Sequence, residues 1–140
     1  MIELLIVMVV MVILASITYI RVAPTLERGR VRGAANVLAG DLQYAQLMAA
    51  KIGEPIVFIV DPAAKEYQIA ERDGDSVYRL RRFGADGEYA LSEFTAVPTT
   101  VQLFPNAIVS QSATYTLGIG SYRRRVILTQ AGQVKIKNVP

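Results

Sequence analysis

The sequence predicts an α+β protein: a long N-terminal helix, membrane-spanning in its first half and amphipathic in its second, packed on antiparallel β-sheet. Three observations carry this expectation. Leu4–Ile20 reads LLIVMVVMVILASITYI, seventeen residues without a charge. From Val31 the apolar residues recur every three or four positions, the period of a helix face. After Pro55 the period falls to two, and β-branched and aromatic residues cluster between turn signals. A helix with one apolar stripe beside a set of half-buried strands has one stable outcome, the stripe packed on the sheet.

The apolar run reaches the lower limit for crossing a bilayer as a helix. It ends at Arg21, and Pro24 follows. Proline there either kinks one long helix or ends it and starts another, with Thr25 as an available N-cap. Gly29 and Gly33 each lower helix propensity by roughly 1 kcal/mol relative to alanine, which marks this stretch as the flexible part. Val31, Ala34, Ala35, Leu38, Leu42, Ala45, Ala49 and Ile52 then form a narrow, alanine-rich stripe, opposite Arg32, Asn36, Gln43 and Gln46. Gly53 is the expected stop, with Pro55 just beyond. An uninterrupted helix from Ile2 to Ile52 would be on the order of 75 Å long, so its first half would project as a stalk.

The sequence predicts strands at Ile56–Val60, Glu66–Glu71, Ser76–Arg82, Thr99–Phe104, Ala113–Leu117, Arg123–Thr129 and Gln133–Lys137. Asp73-Gly74 is a two-residue hairpin signal. Residues 83–94, with Gly84 and Gly87, read as an irregular loop containing a short strand. The domain organisation is therefore residues 1–23 as the membrane and filament-core half of the helix, and 24–140 as the globular domain. Within the latter, 25–52 is the amphipathic helix and 55–137 the β-rich part.

Composition narrows function. The 140 residues contain no cysteine and no histidine, which removes thiol nucleophiles, disulfides, Cys/His zinc sites and imidazole acid–base chemistry. No nucleophile–base pair can be assembled from local motifs, so no enzyme, no cofactor and no small-molecule substrate are expected. Asp73-Gly74-Asp75 with Asp86 and Glu88 lacks the spacing of a calcium loop, and no metal is expected. The net charge of +3 is unevenly spread. Beyond Glu93 no acid follows, and Arg123, Arg124, Arg125, Lys135 and Lys137 are uncompensated. Such asymmetry suits an anionic partner, a membrane surface or a solvated face.

Glu3 sits almost alone against the apolar run. An acid is tolerated best at a helix N-terminus, where unpaired N–H groups and the dipole offer positive charge. A carboxylate in a membrane-length segment is nonetheless a functional hypothesis by default. A secretory signal peptide is disfavoured, because no basic region precedes the run and Ala15-Ser16-Ile17 lacks the small-x-small cleavage pattern.

The string Ile2-Glu3-Leu4-Leu5-Ile6-Val7 resembles the mature N-terminal signature of type IV pilins and type II secretion pseudopilins. The stretch from Val31 to Ala45 is similar to the helix of the minor pseudopilin group GspH/FimT. Arg124–Thr129 followed by Gly132–Ile136 resembles the C-terminal hairpin of that group. The resemblance implies a non-enzymatic minor subunit, single-pass in the bacterial inner membrane with a periplasmic domain. Such a subunit assembles through its helix into a type II secretion pseudopilus or a type IV pilus. Its partners are other pilin or pseudopilin subunits and inner-membrane lipid. Glu3 is then the assembly residue, pairing with the N-terminal amine of a neighbouring subunit. Members of the class carry a short basic leader cut before an N-methylated phenylalanine; no Gly-Phe junction stands in this sequence, so no processing site is placed. Arg21, Arg28, Arg30 and Arg32 follow the apolar run, which alone would favour a cytoplasmic domain. The leader implied by the class supplies the opposing charge.

Some members of the group bind DNA through a Gly-Arg-x-Arg-like ending, where this chain reads Gly132-Gln133-Val134-Lys135. A DNA-binding minor pilin is therefore the alternative, with Arg123, Arg125, Lys135 and Lys137 as its residues and Tyr122 expected beside them. A membrane-anchored periplasmic domain that never polymerises is a third reading.

Overall fold

The computed structural model describes residues 2–73 and 76–139. One helix, α1, runs without a break over Ile2–Ile52. Eight strands follow: β1 (Ile56–Asp61), β2 (Glu66–Glu71), β3 (Val77–Arg82), β4 (Glu93–Val97), β5 (Thr100–Leu103), β6 (Ala113–Ile119), β7 (Tyr122–Leu128) and β8 (Val134–Val139). They form two four-stranded antiparallel sheets, ordered β3-β2-β1-β5 and β4-β6-β7-β8. The second half of α1 packs across both, most extensively on β7 and also on β6, β8, β1 and β5.

The helical stripe is the core. Val31, Ala34, Ala35, Leu38, Leu42, Ala45 and Ala49 are fully buried. Four alanines among seven positions bring the helix axis close to the strands, while Leu38 and Leu42 contribute about 2 kcal/mol each by burial. The facing residues follow the period of two: Ala113, Tyr115 and Leu117 from β6, Val126 and Leu128 from β7. An aromatic cluster joins the sheets. Phe58 stacks on Tyr67 at 4.9 Å and meets Tyr115 edge-on at 5.7 Å. Phe83 meets Tyr67 and Phe94 edge-on at 5.3 and 5.4 Å.

Of the two outcomes expected at Pro24, the chain adopts one continuous helix, which absorbs the missing N–H within a long exposed segment. Three expectations change. Ile52 is 38% exposed rather than part of the stripe, because the helix ends there and Gly53 turns the chain at φ +80°. Gly33 is a seat rather than a flexible point: the Tyr89 ring lies so close that a methyl group at residue 33 would meet its Cε1 at 2.8 Å. The segment after Phe83 yields a full strand, β4, which pairs with β6 from Glu93↔Gly118 to Val97↔Thr114. The β2–β3 hairpin forms with a bulge between Ile69 and Ala70; the expected Asp73-Gly74 turn includes Gly74, which lies outside the described residues, as does Asp75.

The first part of α1 touches none of this. The described side chains of Ile2–Ser16 are exposed, with Ile2 at 78%, Leu5 at 65% and Met11 at 67%. Among the described residues, no helix is long and apolar enough to cross a membrane. Because the core closes without residues 2–16, a chain beginning at Arg28 is expected to be a soluble folded monomer. Circular dichroism and gel filtration check this; an unfolded or aggregated product would show that the projecting half belongs to the core.

Two buried phenols give a pH dependence. The Tyr67 hydroxyl is pushed up by burial first and then by its bond to the Asp41 carboxylate, and burial alone pushes up Tyr115. In the unfolded chain each ionises near the ordinary value of about 10. Below that pH both states keep the proton and stability is full. Above it the folded chain retains protons that the unfolded chain loses, so stability falls by about 1.4 kcal/mol per pH unit per phenol. The Tyr115 hydroxyl has no hydrogen-bond partner among the described residues, so Tyr115→Phe is expected to leave neutral stability within about 1 kcal/mol. The same variant lowers the alkaline slope by one phenol's share. Urea unfolding between about pH 9.5 and 11 measures both; an unchanged slope would contradict the assignment.

Candidate functional site

The projecting half of α1 is an apolar rod with one acid at its tip. Glu3 stands in the first helical turn and has no ion-pair partner among the described residues. Around it Ile2, Leu4, Leu5, Ile6 and Met8 are all more than half exposed. Apolar side chains on every side of a helix need an apolar environment around the whole circumference. The fold leaves this surface uncovered, with a carboxylate beside it.

Asp41 was not among the residues expected from the sequence. It is the one charged side chain in the core of the described residues, 4% exposed. It lies three residues after Leu38, in phase with the stripe, and that phase was the available signal. Its Oδ2 accepts from the Tyr67 hydroxyl at 2.6 Å and from Arg81 Nε at 3.0 Å, and its Oδ1 accepts from Arg79 Nη1 at 2.5 Å. The Arg79 guanidinium also lies 4.3 Å from the Tyr44 ring, one helical turn from Asp41. One carboxylate thus ties the helix to β2 and to the edge strand β3.

Where the helix leaves the domain, cations gather on Tyr122. Arg32 Nε and Arg124 Nε each donate to the Tyr122 hydroxyl at 3.3 Å. The Arg28 guanidinium lies 5.9 Å from the ring centroid. These neighbours, first the bond from Arg32, pull the Tyr122 phenol below its ordinary value.

The four basic residues expected on the C-terminal hairpin do share its outer face. Arg125 stands opposite Lys137, and Lys135 is opposite Ile127, the next outward residue along β7. Arg123 is on the same face, but its Nε is held by Glu93 Oε2 at 2.6 Å across the sheet, which removes part of its charge from the patch. Tyr122 is not beside these residues: one step along a strand reverses the face, so it points to the helix with Arg124. The patch therefore has cations and no aromatic platform. Among the described residues, no three potential metal ligands converge. A hollow of about 400 Å³ beside Leu80, Arg81, Arg82, Glu88 and Tyr89 is open to solvent.

An N-terminal helix packed on antiparallel sheets is the pilin-like class of fold, and the type IV minor pilin FimU of Pseudomonas aeruginosa PAO1 shares it. In one crystal form that protein aligns at TM-score 0.64 with 20% identity, covering 79% of this chain and 90% of its own. In another the TM-score is 0.61 with 18% identity, covering 76% and 92%. The family model for type II transport protein GspH matches residues 34–132, and the chain belongs to that family. No curated protein sequence matches. The matched segment contains the docked helix, Asp41 and both sheets up to the β7–β8 turn; Glu3 lies outside it.

Proposed function

We propose that the chain is a minor pilin-type structural subunit. It inserts in the inner membrane by the apolar half of α1 and then enters a type II secretion pseudopilus or a type IV pilus through the same surface. The observation that carries this reading is the exposed apolar rod beside a domain whose core is complete without it. Leu4–Ile20 would be about 26 Å long, a short span that the bilayer accommodates by local thinning. On leaving lipid, the rod retains an apolar environment only by packing against equivalent helices. Glu3 then finds the terminal amine of a neighbour, and pairing relieves two charges that are both costly in hydrocarbon. Membership of the GspH family and the fold shared with a minor pilin support the envelope location and association with other pilins.

Mechanical shearing of native cells tests this. The chain is expected in the sheared filament fraction together with more abundant pilins. Its recovery in the inner membrane alone, in cells whose filaments are intact, would favour an anchored domain that does not polymerise.

A further inference from the structure

The cluster on Tyr122 is not used by assembly through the rod. Three guanidiniums, Arg28 and Arg32 from α1 and Arg124 from β7, surround one phenol. No carboxylate forms an ion pair with any of them among the described residues. Like charges held together without a counter-charge bind anions, and the fold maintains this arrangement from two separate elements. Glu93 holds Arg123 on the other face of the sheet, and Glu27, next to Arg28 in sequence, lies near the Gly120 turn without an ion pair to the three arginines among the described residues.

Position selects the anion. The cluster lies between one face of the helix and β7 where the helix leaves the domain, on the side from which the apolar rod projects. Arg28 is eight residues beyond Ile20, about 12 Å along the axis. A headgroup layer is about 5–7 Å deep on each side of the hydrocarbon. Arg28 then faces the headgroups across less than a Debye length of about 8–10 Å, and Arg32, one turn further out at about 18 Å from Ile20, stands just beyond it. Tyr122, an amphipathic ring, suits the same boundary. An extended polyanion such as DNA would instead meet the outer face of the hairpin, which is broad and unobstructed, whereas this cluster lies in the angle between helix and sheet.

We infer that Arg28, Arg32, Arg124 and Tyr122 form a collar that binds the phosphate groups of anionic lipids and seats the domain on the bilayer before the subunit is extracted. The inference rests on the membrane insertion proposed above, and the experiment separates the two. The chain has no cysteine, so Ser121→Cys at the exposed β6–β7 turn gives a single labelling site. The labelled full chain is reconstituted into phosphatidylcholine vesicles with or without phosphatidylglycerol, and energy transfer to a headgroup acceptor reports how near the domain lies. Flotation with vesicles reports insertion independently.

The chain is expected to float with both vesicles. Transfer should rise in the anionic ones, and the rise should be lost in high salt and in the Arg28→Gln, Arg32→Gln, Arg124→Gln variant. A control with Arg125→Gln, Lys135→Gln and Lys137→Gln removes equal charge from the outer face and should keep the rise. Failure to float with either vesicle would sink the insertion reading itself. Flotation with no lipid-dependent rise in the unmodified chain overturns the collar, whatever the folding of the variants. Equal loss in both variants overturns it in favour of diffuse net charge. If short duplex DNA binds the detergent-solubilised chain through the collar arginines while transfer ignores the lipid, the surface is a nucleic-acid site and the inference is wrong.

Discussion

Replacing Asp41 by alanine is expected to destabilise the domain by about 2–3 kcal/mol, a large part of a stability of ordinary size. Two losses combine. The hydroxyl of Tyr67, a residue 1% exposed, is left without its acceptor in the aromatic cluster. Arg79 and Arg81 lose their counter-charge, but their side chains are 36% and 31% exposed, so water relieves much of that cost. The total therefore falls below the 3–5 kcal/mol typical of breaking a fully buried pair. Asp41→Asn keeps size and one acceptor and is expected to lose less. Denaturant unfolding of the three proteins, at equal slope, measures the differences. A change below about 0.5 kcal/mol, the range of ordinary surface substitutions, would show that the arginines and Tyr67 re-partner freely and that Asp41 does not fasten the helix to β2 and β3.

The second large effect is on assembly. Glu3→Gln preserves shape and removes the charge. Insertion should be unchanged or easier, since a neutral amide is less costly in hydrocarbon than a carboxylate. Filament entry should fall at least about ten-fold, because a terminal amine left unpaired in a low-dielectric site loses well over 1.4 kcal/mol. Flotation of membranes reads insertion, and shearing reads entry. A variant that inserts and shears off normally would reduce Glu3 to a helix-end residue.

Much of the fold was legible because the signals were local. The stripe from Val31 to Ala49 needs only the helical period, and β1 to β3 need only alternation and their bounding turns. β4 was not legible in the same way. Phe94 and Ala96 are its two inward residues, glycines stand shortly before it, and Pro98 follows; its strand character comes from pairing with β6, twenty residues on. The division into two sheets is equally non-local. Asp41 was hidden by its charge, which argues for the surface until Arg79, Arg81 and Tyr67 are brought to it from a hairpin 26 to 40 residues away. The basic hairpin face was read correctly from strand parity, and the same parity shows why Tyr122 belongs to the helix side. Neither the Glu93–Arg123 pair nor the gathering of Arg28, Arg32 and Arg124 on Tyr122 follows from spacing, since each joins elements far apart in sequence.

Placing a photo-activated cross-linking residue at Val12, on the exposed rod, in cells that assemble the native filament tests whether the apolar half of α1 packs against other pilin helices. Covalent adducts between this chain and other pilin subunits are expected, identified by mass spectrometry and enriched in the sheared filament fraction. Adducts to lipid alone, with none to a pilin in cells whose filaments are intact, would contradict that packing.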